Sequence, residues 1–158
     1  MRMTPSTLLP AAAAALLLLA ACEDEGRTAA QQLARRNSCV AAELALDAKE
    51  KLASLDTALV SAQGTPMEQV TAAGHTFAAA YRRWADAMSS SADYADSAAF
   101  ARSREDSVRL ARLSTQAHPR AVPVGTVEGN AVASYNQDVA RAFGNPDHPC
   151  NKPDEAKD

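Results

Sequence analysis

The side chains best able to do chemistry here are three histidines, three cysteines and small clusters of carboxylates and aromatic rings. Their spacing argues against a reaction centre. His75, His118 and His148 share no helix face, and none lies in an HExxH or ExxH arrangement, so a metal site would have to be assembled from distant positions. No CxxCH occurs, which excludes covalently attached c-type haem. Glu43, Asp47 and Glu50 fall on one helical face at steps of four and three, a pattern that suits a hard cation or a basic partner. Lys51, four residues after Asp47, offers local pairing and makes the same residues a solvated face. No serine sits in a GxSxG elbow or an SxxK pair. The expectation is a chain that is not an enzyme and holds no metal or cofactor.

Phe77, Tyr81 and Trp84, with Arg82 among them, are the residues that could line an apolar ligand cavity. Aromatic rings at this spacing also build cores, which is the simpler reading. Arg82, Arg83, Arg102, Arg104, Arg109 and Arg112 read as polar helix faces, with an anion pocket between the second and third helices as the alternative.

The three cysteines differ in setting. Cys22 ends a short leader that has one positive side chain at Arg2, an apolar segment from Leu8 to Ala21, and small residues before the thiol. That segment is too short to span a hydrocarbon core, which needs about 20 residues. The ending Leu19-Ala20-Ala21-Cys22 resembles the lipobox of bacterial prolipoproteins, over residues 1–22 only. The resemblance implies cleavage before Cys22, diacylglycerol on its sulfur, and acylation of the new amino group in many organisms. Several acyl chains anchor stably where one binds marginally. Glu23 after the acylated residue favours the outer membrane by resemblance to enterobacterial sorting rules. The other reading is ordinary cleavage after Ala21 and a free Cys22, which the bulky Leu19 disfavours. Lipidation of Cys22 would leave Cys39 and Cys150 as an even pair in an oxidising compartment.

The chain carries a formal charge of −3, and loss of Arg2 with the leader makes it one unit more negative. A mildly acidic chain has no electrostatic case for binding nucleic acid. Alanine dominates, while glycine and aromatic residues are scarce, a composition that favours helix throughout.

Glu23 to Arg27 reads as a polar spacer, and Thr28-Ala29-Ala30-Gln31 as a capping box opening the first helix. That helix continues to Ala62, with Ala45, Ala48, Leu52, Leu55, Leu59 and Ala62 forming its apolar stripe. Gly64 closes it, and Thr65-Pro66-Met67-Glu68 opens the second. Met67, Val70, Gly74, Phe77, Tyr81, Trp84 and Met88 then alternate at three and four. Ser89-Ser90-Ser91 is expected to break that helix. The third is expected over Asp93 to Gln116, with pairs Glu105–Arg109 and Arg102–Asp106. After a proline-rich loop, the fourth runs from about Thr126 or Asn130 to Phe143, ending at Gly144. An irregular tail follows, disordered beyond Asn151.

These elements predict an all-α, four-helix, up-down-up-down bundle over residues 29–150. A three-helix form without the serine break is the alternative. The cysteines discriminate between them. The end of an even-numbered bundle returns beside the start of helix one. In a three-helix bundle Cys150 would have to reach across roughly 36 Å of helix with a segment spanning about 20 Å. A Cys39–Cys150 disulfide, expected of the even pair, therefore supports four helices over three, with two unpaired thiols as the other reading and the turns before Cys39 projecting as a stalk. The functional expectation is a non-enzymatic lipoprotein of the bacterial envelope. It would be held to the bilayer through Cys22, face the periplasm, and serve as an interaction or structural module for an unknown protein or cell-wall partner. The alternative is a helical bundle binding a small ligand or metal.

Overall fold

The computed structural model describes the backbone of residues 10–152 and the side chains of residues 28–152. The leader and the acylation of Cys22 lie outside the described side chains, and the tail beyond Lys152 lies outside the described residues. Four helices, α1 (Pro10–Ala62), α2 (Glu68–Ala99), α3 (Arg104–Ala117) and α4 (Val127–Gly144), are followed by a 3₁₀ turn at Pro149–Asn151. Successive helices alternate in direction, forming the up-down-up-down bundle. No helix among the described residues is long and apolar enough to cross a membrane.

α1 does not begin at Thr28. Its backbone is helical from Pro10, straight through the stretch expected to be a spacer. Glu23 to Arg27 contains only one poor helix former, Gly26, and a single glycine costs about 1 kcal/mol, too little to stop a helix that good formers continue on both sides. At the other end the expected turn is present. Gly64 takes a positive φ of 71°, which favours glycine, and Glu68 reaches back to accept its N–H at 2.8 Å. α2 starts at Glu68, just after Pro66, with the Thr65 hydroxyl accepting the Met67 N–H.

α1 and α2 form an antiparallel hairpin, marked by Asp56–His75 near the Gly64 turn, Ser38–Asp93 lower down, and Gln31 donating to the Ala99 carbonyl at the opposite end. Residues before Cys39 are therefore not a free stalk. Arg35 stacks on the Phe100 ring, and Arg36 stacks on Phe143 while donating to its carbonyl at 2.8 Å. Guanidinium groups over aromatic faces hold these turns against the bundle.

The serine run does not break α2. Serine is only a few tenths of a kcal/mol worse than the good helix formers, and no glycine or proline adds to it. Ser91 is buried against α3, where its hydroxyl donates to the Ser114 carbonyl while the Ser114 hydroxyl donates to the Ser91 carbonyl. The helix instead ends at Ala99, and α3 starts eleven residues later than Asp93, at Arg104. Its cap is Ser103, whose Oγ accepts the Asp106 N–H at 3.1 Å. The surface pair on α3 is Asp106–Arg109, in place of the two expected pairs. The Ser103 hydroxyl and then Arg109 hold the Asp106 carboxyl below its ordinary pKa.

α3 buries no side chain and rests on α2 through serine hydroxyls. The core lies among α1, α2 and α4. Tyr135 packs with Ala48 and Ala85, and Val40 with Ala142 and Cys150. α4 takes the earlier of its two expected starts, capped by Thr126, and ends at Gly144: Thr126 Oγ1 accepts the Gly129 N–H at 3.0 Å, and Pro123 O lies 2.3 Å from where a Cβ on Gly129 would fall.

Candidate functional site

Among the described residues, Arg104, Arg109 and Arg112 surround an open hollow on α3, and two further places bring together functional groups from different elements. The first is a groove of about 460 Å³ between α1, α2 and α4, walled by Leu55, Gly74 and Phe77 and edged by Lys51, Ser134 and the Tyr81–Asp138 pair. Tyr81 donates to Asp138 Oδ2 at 2.7 Å, and Arg141 donates to the other carboxylate oxygen at 2.9 Å. Burial first, then the bond to Asp138 and its charge, raises the Tyr81 phenol well above its ordinary value, so it remains a donor well into the alkaline range. Tyr81 also meets Tyr135 edge to face, at 5.9 Å between centroids. Lys51 is tied to Asp47 at 2.5 Å. Both charges at the rim, Lys51 and Asp138, have a partner. The groove is suited to holding an amphipathic molecule.

The aromatic set divides here. Phe77 and Tyr81 line the groove, as the sequence suggests. Trp84 packs on the Ala48–Ala85–Tyr135 cluster with its indole N–H buried and unpaired. Arg82 pairs with Asp86 on the surface at 3.4 Å. Neither belongs to the site. The space also lies against α4 and not between the second and third helices, because α2 extends past the serines and leaves α3 a short outer helix.

The second place is the corner where Cys39 and Cys150 are bonded, with Cα atoms 5.6 Å apart. His148 caps the 3₁₀ turn, its Nδ1 accepting the Cys150 N–H at 3.3 Å. That assigns the neutral ring's proton to Nε2, which faces Glu43 Oε2 at 3.2 Å. Glu43, expected on a solvated face with Asp47 and Glu50, thus has a specific partner that sequence reasoning missed. Of the other histidines, His75 pairs with Asp56 at 2.7 Å and His118 is exposed in the loop after α3.

Comparison with protein-family models, curated proteins and solved structures finds no match to this chain.

Proposed function

We propose that this chain is a lipid-anchored protein of the bacterial envelope, held through Cys22 and facing the periplasm, whose bundle is a non-catalytic interaction module for a protein or cell-wall partner. The observation that carries the reading is the apolar surface at the Gly64 end. Val60, Met67 and Val70 are 68%, 57% and 64% exposed there, at the end of the hairpin remote from Cys22. Large apolar side chains left in water beside one turn offer a partner surface to bury. An anchor at one end with an apolar tip at the other is the arrangement a tethered module needs.

Cys22→Ala should move the protein from the membrane pellet to the soluble periplasmic fraction, or leave an uncleaved precursor. Wild-type chain found free in the periplasm would sink the anchor. Cross-linking of the native protein in cells should recover a partner, and Val70→Asp should lose it without lowering the melting temperature. An unchanged cross-link would remove the Gly64 end from consideration.

The groove favours a second reading, a small amphipathic ligand held by Phe77 and the Tyr81–Asp138 pair. A Cβ placed on Gly74 meets nothing within 4 Å. Gly74→Ala should therefore stabilise α2 by up to about 1 kcal/mol in urea titration, and Gly74→Leu should fill the groove. A ligand seen by native mass spectrometry on the wild type and absent from Gly74→Leu supports this reading. Its persistence in that variant would place it elsewhere.

A further inference from the structure

Four donors of the kinds that hold zinc meet where the end of the chain is tied to α1. Ligand atoms of Glu43, His148 and Cys150 all lie within 4.8 Å of one another. From Glu43 Oε2 it is 3.2 Å to His148 Nε2 and 3.5 Å to Cys150 Sγ. Cys39 contributes a second sulfur, bonded to Cys150. Neighbouring ligands on a tetrahedral zinc, with bonds of about 2.0–2.3 Å, stand roughly 3 to 4 Å apart, so the two separations from Glu43 Oε2 match, while the two sulfurs, bonded to each other, must part on reduction. What the oxidised chain lacks is thiolate, since both sulfurs are spent on each other.

We propose that reduction of the Cys39–Cys150 bond turns this corner into a binding site for a thiophilic divalent cation, zinc foremost, with Cys39, Cys150, His148 and Glu43 as ligands. A dithiol reductant gives two electrons and two protons to the S–S bond and is itself oxidised to a disulfide. The two thiols so formed release their protons as the cation binds. His148 must move its ring proton from Nε2 to Nδ1 in order to ligate. It gives up the 3.3 Å contact from the Cys150 N–H and the 3.2 Å contact to Glu43, the second of which the shared cation replaces. Two sulfurs, one imidazole nitrogen and one carboxylate oxygen form a set that selects zinc over calcium or magnesium.

The supports are already fixed. Cys39 and Glu43 stand one turn apart on α1, while His148 caps and Cys150 lies within a single 3₁₀ turn held by the Asn151 side chain, which donates to the Ala142 carbonyl at 2.8 Å. Glu43 is half-exposed, which leaves a way in. The result is a clip that keeps the end of the chain on α1 in either redox state, covalent when oxidised and metal-held when reduced. This inference does not depend on the lipid anchor.

The test uses the full chain carrying Cys22→Ala, so that no third thiol competes. Reduced protein titrated with Co²⁺ should show a thiolate-to-cobalt charge-transfer band at one equivalent, displaced by Zn²⁺, and Zn²⁺ should raise its melting temperature. The oxidised protein should show neither effect. His148→Ala and Glu43→Gln should each weaken binding at least by the roughly 10–100-fold that even an outer-shell partner contributes. If the reduced chain loses helicity, recovery of the helical signal on adding Co²⁺, with the band, counts equally in support. No band, a band indifferent to both variants, or equal binding by the oxidised protein overturns the proposal.

Discussion

Replacing both Cys39 and Cys150 by alanine should lower the stability of the bundle by ~4 to 5 kcal/mol, the largest loss expected from any paired change in the chain. The bond closes a loop with a sequence separation of 111, and in the chain-entropy model a loop of about 100 residues is worth about 4.7 kcal/mol at 25 °C. Most of that acts on the unfolded chain, which can expand once the link is gone. The signature in urea titration is therefore a lower midpoint together with a steeper dependence on denaturant, because more surface is exposed on unfolding. At ~3 to 5 °C per kcal/mol for a domain of this size, the melting temperature should fall by roughly 12 to 25 °C. Val40, Ala142 and Phe143 still pack together at the same corner, so the reduced chain has a reason to keep α4 on α1. A loss below about 1 kcal/mol would mean that the unfolded chain is already held compact there by other contacts.

That corner also shows how far the sequence could be read. The pairing of Cys39 with Cys150 follows from counting cysteines once Cys22 is set aside, and the reach of the chain then fits it to four helices, both of which are simple arithmetic. Once the pairing is granted, Glu43, one turn after Cys39, and His148, two residues before Cys150, are obliged to come near each other. The information was present, but it became visible only after a contact between residues more than a hundred positions apart was assumed. The Gly64 turn and the start of α4 were legible for a different reason, since a positive φ and a threonine cap are properties of a few adjacent residues.

The boundary between α2 and α3 was misplaced because serine is ambiguous. Its hydroxyl can terminate a helix or, as Ser91 does, bond across to a neighbouring helix and stay helical. The correct signal was nearby, with Ser103 three residues before Asp106, a cap followed by an acid in the first turn. That single shift shortened α3, left it outside the core, and moved the groove from the second and third helices to α1, α2 and α4. Phe77 and Tyr81 survived the change because they lie on the stripe of α2 that faces the groove. Trp84, on the same stripe, turns into the packed cluster instead, and heptad spacing alone cannot separate the two fates.

Tyr135→Ala should cost ~3 to 5 kcal/mol, the largest effect expected of any single substitution. Tyr135 is 2% exposed, the largest of the fully buried side chains, and its neighbours in the cluster include Ala48 and Ala85. Alanines have no rotamers with which to close a void, and α1, α2 and α4 are held at their spacing by the rest of the bundle, so the cavity should persist. Tyr135→Phe keeps the ring and should retain most of the stability. It should also change the response to alkali. Burial pushes the Tyr135 phenol from 10.0 up to about 12, and Tyr81 is raised as well. A group whose folded pKa lies above its unfolded one gives stability that is complete below the unfolded value and is lost as pH rises through the folded one. The bundle should thus lose stability between about pH 10 and 12, and Tyr135→Phe should flatten that slope without abolishing it, because Tyr81 remains. Urea titrations followed by circular dichroism across that range measure both effects. An identical slope in the wild type and in Tyr135→Phe would show that the phenol is hydrated in the folded chain, contrary to the packing described for the Ala48–Ala85 cluster.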